Sequence, residues 1–118
     1  MLCVIATARP EDLAAFIEGL KKAGSAILVR TGLETLEAAR ARTPQMVVID
    51  QGLPDSEPFA LVQELIKINA MMNTAVLTGL SPEEFHEQGE GLGILASLPL
   101  ASGLREAEEL LALAERLC

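Results

Sequence analysis

An α/β protein built on a doubly wound, five-stranded parallel sheet is predicted by three features of the 118-residue chain. Short apolar runs such as Leu2–Ala6 and Met46–Asp50 lack polar alternation, which is the pattern of strands buried on both faces. Amphipathic helical stripes lie between these runs, and Pro, Gly or a capping hydroxyl stands at nearly every junction. Repeated five times without a linker, a repeat or a low-complexity segment, this is a (βα)5 chain. A three-layer α/β/α sandwich of flavodoxin-like strand order satisfies it, as one domain over residues 1–118. A chain of this length buries about two-thirds of its unfolded surface, so a core forms without disulfides or metal.

The elements follow in order. Leu2–Ala6 (LCVIA) is the first strand. Pro10 at a first helical position, with Glu11 and Asp12 in the first turn, opens a helix striped by Leu13, Phe16, Ile17 and Leu20 and closed by Gly24. Ala26–Arg30 is the second strand, and Thr31 with Glu34 makes a capping box for a helix carrying Leu33, Leu36 and Ala39, which Pro44 stops. Met46–Asp50 (MVVID) is the third strand and ends on a carboxylate. After loop residues 51–58, Leu61, Val62, Leu65 and Ile66 stripe the third helix. Thr74–Thr78 (TAVLT) is the fourth strand. Ser81, Pro82 and Glu84 cap a short polar helix that Gly89 ends, and Ile94–Ala96 is the fifth strand. The last helix follows Ser102 and buries Leu104, Leu110, Leu111, Ala114 and Leu117.

Composition excludes several functions. Nine Lys and Arg against seventeen Asp and Glu give a formal charge of −8, and there are three Phe with no Tyr or Trp. Nucleic-acid binding needs clustered cations and stacking platforms, and both are lacking. No apolar run approaches the ~18–20 residues of a membrane span, and the opening residues lack the basic start of a signal peptide. Cys3 and Cys118 read as free thiols of a reducing compartment, which points to the cytoplasm. Met1 and the terminal Cys118 fit a chain that stands alone.

In a doubly wound sheet, function sits at the carboxyl ends of the strands. The polar residues there are Thr7, Asp50, Thr78 and Ser97. Asp50 heads the run Asp50-Gln51-Gly52-Leu53-Pro54, Thr78 precedes the small Gly79, and Pro99 follows the fifth strand. An aspartate ending strand three with a proline four residues on, a Thr-small pair after strand four, and that later proline together resemble the CheY-like receiver domain of bacterial two-component response regulators. The resemblance covers essentially the whole chain. It implies that Asp50 is the equivalent of an aspartate that accepts a phosphoryl group from a histidine kinase. Thr78 and Leu95 stand at the switch positions, and the face made by the fourth helix, fifth strand and fifth helix exchanges partners. The family's acidic pair, which holds Mg²⁺, aligns with Ala6 and Thr7, its strand-five lysine with Leu98, and its aromatic switch residue with Leu95.

Those departures bear on mechanism. Phosphoryl transfer is mostly positioning and charge neutralisation, and Mg²⁺ needs one or two carboxylates besides phosphate and waters. Loss of one electrostatic stabiliser costs ~10²–10³ in rate. The chain is therefore expected to be a pseudo-receiver, neither an enzyme nor a metal or cofactor protein. Arg9, just beyond strand one, is placed to pair with Asp50 where the metal would otherwise lie. Asp55 and Glu57 are loop acids that would reach a cation through water, which keeps a phosphoacceptor with a relocated metal site as an alternative. A small-ligand sensor at the strand ends is a second alternative, although the Thr7-Ala8-Arg9-Pro10 turn lacks glycine.

Plainer readings stand beside these. Asp50 would be satisfied by backbone N–H groups of the following loop, Thr78 would bond locally, His86 would be solvated, and Cys3 would be a small core residue. Met71 and Met72 read as a helix end packing under a loop. Residues 1–50 carry six cations and six acids, whereas residues 51–118 carry three cations and eleven acids. The imbalance falls on the half holding Glu83, Glu84, Glu87, Glu106 and Glu109, beside Leu92, Leu95, Leu98 and Leu100. An interaction face is expected there, formed by those five glutamates with Leu95 and Leu98. It would suit a protein partner with a basic patch, with association weakened by salt, and homodimerisation through the same face.

Overall fold

The computed structural model describes residues 1–116, so Leu117 of the expected last-helix stripe and Cys118 lie outside the described residues. Its strands are β1 (Leu2–Ala6), β2 (Ser25–Val29), β3 (Met46–Asp50), β4 (Asn73–Thr78) and β5 (Ala96–Pro99). They pair in parallel in the order β2-β1-β3-β4-β5. The helices are α1 (Ala14–Lys21), α2 (Gly32–Arg42), α3 (Pro58–Ile68), α4 (Pro82–Gln88) and α5 (Leu104–Glu115).

Alternation along each strand builds two cores. Cys3, Ile5, Met46, Val48 and Leu77 point to the layer of α1 and α5, where Phe16, Leu20 and Leu110 meet them. Val4, Ala6, Val47, Ile49 and Val76 point to the opposite layer, against Ala39, Leu61, Val62, Leu65 and Phe85 of α2, α3 and α4. The α1–α5 contact depends on Gly19, because a Cβ there would fall 2.7 Å from that of Ala107. The chain leaves β1 toward β2 and then returns past it to β3, so the loops after β1 and β3 diverge and open a crevice at their carboxyl ends.

Several boundaries differ from the sequence expectation. Residues Pro10–Leu13 form a 3-10 turn before α1, with Asp12 N bonded to Arg9 O at 3.1 Å. β2 stops at Val29 because Arg30 N donates instead to the Glu34 carboxylate at 2.9 Å. β5 is Ala96–Pro99 rather than Ile94–Ala96, since Gly91 (φ +84) and Gly93 (φ +65) hold the chain in a left-handed turn. At the start of α5, Ser102 donates to Pro99 O, and Glu106 accepts the N–H of the capping Gly103 at 2.7 Å. Leu104 and Leu33 lie exposed rather than in buried stripes, and Met71, in a turn beyond α3, is 86% exposed rather than tucked under a loop.

Acidic side chains close most helix N-termini. Asp55 reaches across to α2 and accepts from Gly32 N (2.7 Å) and Leu33 N (3.1 Å). Glu57 accepts from Phe59 N and Ala60 N of α3. Ser81 and Glu84 exchange hydrogen bonds in a capping box on α4. Backbone donation from Gly32 and Leu33 holds the Asp55 carboxyl below its ordinary 3.8, and Ser81 lowers that of Glu84 from 4.5. A carboxyl depressed on folding adds stability that is fully present above its unfolded value and lost as pH falls through the folded one. Urea unfolding should therefore show stability falling from about pH 4.5 downward, with a shallower fall in the Asp55→Asn/Glu84→Gln variant.

Candidate functional site

The crevice is closed by residues from four loops. Thr7 follows β1, its N–H continuing the ladder to Val29 O. Its hydroxyl accepts from Arg9 N at 3.0 Å and so directs its proton to Asp50 Oδ2, 2.8 Å away. That local bond turns the chain so that the Arg9 side chain lies back across the sheet end. Arg9 Nε stands 2.9 Å from Asp50 Oδ2 and Nη2 stands 3.0 Å from Oδ1, which is a two-point fork on the carboxylate. Nη2 also donates to Leu100 O at 2.6 Å, tying in the loop after β5.

Asp50 is 1% exposed, while Arg9 keeps 31% of its side chain in solvent. A carboxylate taken out of water is costly unless paired and hydrogen-bonded. Here both oxygens are used, and the donors are two side chains rather than the backbone N–H groups of the following loop. Hydrogen bonding to Asp50 raises the Arg9 pKa above its ordinary value, with burial acting against it.

The structure brings together Thr7, Arg9 and Asp50, with Thr78 across the crevice. Thr78 is buried, accepts from Leu80 N at 3.1 Å and donates to Gln51 Oε1 at 3.3 Å. Leu95 is half-buried against the α1–α5 core. Leu98, expected on the interaction face, is instead 7% exposed and part of that core, because inward alternation along β5 turns it to the layer of α1 and α5. Asp55 and Glu57 do not serve Asp50, since helix N-termini take their oxygens. Of the acidic face, Glu84 and Glu106 accept at helix N-termini and Glu109 pairs with Arg105 at 3.1 Å, while Glu83 and Glu87 are exposed. His86 is exposed, beside a groove of about 370 Å³ between α4 and β5 that Phe85, Ile94 and Leu95 also line. Sequence reasoning missed Gln51 and the Leu100 carbonyl. The first was legible only as a polar neighbour of Asp50, and a backbone carbonyl leaves no mark in a sequence.

The donor set does not fit Mg²⁺. Ala6 and Thr7 supply no carboxylate, and a guanidinium rests on that of Asp50. Among the described residues no group of three or more His, Cys, Asp or Glu side chains converges.

The chain superposes on the receiver domain of the Francisella response regulator 1452 with a TM-score of 0.83 at 18% identity, covering 99% of this chain and 98% of that one. It has the receiver-domain, CheY-like fold. Response regulator DrrB of Thermotoga maritima, an OmpR/PhoB homolog, matches at TM-score 0.82 and 22% identity over 98% of this chain and 51% of that one. Among curated proteins, the transcriptional regulatory protein CreB of Escherichia coli (strain K12) is 34% identical over 65 residues. That match takes in 54% of this chain and 28% of CreB, so only a minor part of the curated relative is spanned. No family model matches the chain.

Removing Arg9 strands a buried carboxylate on one hydroxyl. Arg9→Ala should lower stability by ~2–4 kcal/mol in urea unfolding at pH 7. Adding Asp50→Ala to that variant should recover ~1–3 kcal/mol as coupling in the double-mutant cycle.

Proposed function

We propose that this receiver-fold domain is a two-component signalling module whose output does not depend on aspartyl phosphorylation. One observation supports the reading above others: both oxygens of Asp50 are held by the protein's own donors, and the cation on them is a fixed side chain. An aspartate attacking a phosphoryl donor needs a free oxygen and positive charge aimed at the transferring group. Arg9 spends its charge on the nucleophile instead, and Leu98 offers no ammonium. The module works without Mg²⁺ or another cofactor, and it is not an enzyme.

Its output is protein docking on the face of α4, β5 and α5. The groove there has an apolar floor of Phe85, Ile94 and Leu95 with Glu90 among its lining residues, and Glu83 and Glu87 are exposed elsewhere on α4. A protein with a basic patch suits this face, and salt weakens such a contact. A second copy seated on the same apolar floor, as a homodimer, brings like charge together, so salt strengthens that contact. Neither nucleic acid nor membrane is a partner; among the described residues no helix is long and apolar enough to cross a membrane. The cytoplasm suits a module with a free thiol, and burial pushes Cys3 up to about 12, which leaves it unreactive at neutral pH.

The test is incubation of the whole chain with acetyl phosphate and Mg²⁺, followed by intact mass spectrometry. Unmodified protein is expected. A base-labile adduct of one phosphate, lost in Asp50→Asn, would overturn the reading.

A further inference from the structure

Gln51, directly after Asp50, takes no part in the Arg9 pair, yet its carboxamide closes the other side of the crevice. Gln51 Oε1 accepts from Gly79 N at 2.9 Å and from Thr78 Oγ1 at 3.3 Å. A backbone N–H only donates, so the carboxamide atom facing Gly79 is the oxygen. The Thr78 hydroxyl is oriented in the same way: it accepts from Leu80 N, which leaves its proton for Gln51. Gln51 is itself anchored, its N–H donating to Leu77 O at 3.0 Å as the last rung between β3 and β4. Two donors, one from the last residue of β4 and one from the residue after it, thus converge on one oxygen supplied by the chain.

We propose that Gln51 acts as an internal ligand of the loop between β4 and α4. By filling the acceptor place shared by the Thr78 hydroxyl and the Gly79 amide, it holds residues 78–81 in one arrangement with nothing bound. The consequence reaches α4, because Ser81 at the end of that loop is the helix cap and exchanges hydrogen bonds with Glu84. It also reaches the Arg9 pair. A Cβ on Gly79 would lie 3.4 Å from Leu100 Cδ1, so the loop packs on the residue whose carbonyl Arg9 holds. A cavity of about 430 Å³ lined by Thr78, Gly79, Leu80, Leu98 and Leu100 lies between the two tethers. Gln51 is therefore a positioning residue for the α4 edge of the docking face. This inference goes beyond the proposed function and stands whichever partner docks.

Amide hydrogen exchange of the whole chain tests it. Gln51→Met keeps side-chain length and removes the acceptor, and it should fold because Gln51 is exposed. Exchange at Gly79 and Leu80 should rise by at least ~10-fold, with chemical-shift changes extending to Glu84, while Val4 and Val48 keep wild-type protection. Gln51→Glu, which restores an oxygen acceptor, should return Gly79 to within about threefold of wild type. Three results would each overturn the proposal: unchanged exchange at Gly79 in Gln51→Met, an equal rise at Val4 and Val48, or no rescue by Gln51→Glu. None of these readouts depends on phosphorylation, so failure here is distinct from failure of the reading of Asp50.

Discussion

A carboxylate buried at the open end of a parallel sheet has to be neutralised, and in this protein the neutralising charge is covalently part of the chain. Asp50 is screened from water, and leaving it unpaired would cost several kcal/mol. Arg9 answers with a planar fork that matches both oxygens, and Thr7 supplies the third hydrogen bond. A bound metal ion exchanges with solvent and competes with other ligands, whereas a guanidinium three residues beyond β1 is always present. The pair therefore fixes the end of β3, the turn after β1 and, through Leu100, the loop after β5 in one geometry.

The sheet order explains why a single arginine suffices. β1 and β3 are neighbours while their following loops part to opposite layers, so Thr7, Arg9 and Asp50 face one another across a narrow gap. The next gap, between β3 and β4, is bridged by Gln51. Two polar side chains of opposite function, one a donor and one an acceptor, thus tie four loops without any third component. The loop acids are consumed elsewhere. Asp55 and Glu57 satisfy N–H groups that α2 and α3 would otherwise leave unpaired.

Much of the fold was legible because its signals are local. Apolar runs with no polar alternation mark β1 and β3 with their observed limits, and the Thr31–Glu34 and Ser81–Glu84 spacings mark the starts of α2 and α4. β5 was misplaced because Ile94 and Leu95 look like strand, while the left-handed glycines before them keep the chain turning. Leu98 is expected at the surface from the charged residue it replaces, but alternation along β5 turns it into the α1–α5 core. At the site, the need of Asp50 for a cation and the nearness of Arg9 both follow from charge and loop position. The destinations of Asp55 and Gln51 do not, because each bonds to a backbone group more than twenty residues away, and only the tertiary structure says which one is near.

The most direct measurement of the Arg9–Asp50 pair is the nitrogen NMR spectrum of the arginine side chains at neutral pH and room temperature. A resolved Arg9 Nε–H resonance, slow to exchange with water and lost in Asp50→Ala, is the result expected of a guanidinium forked on a buried carboxylate. An Arg9 signal that exchanges as fast as those of the exposed Arg40 and Arg42 would contradict it, and the account of an internally neutralised Asp50 would fall with it.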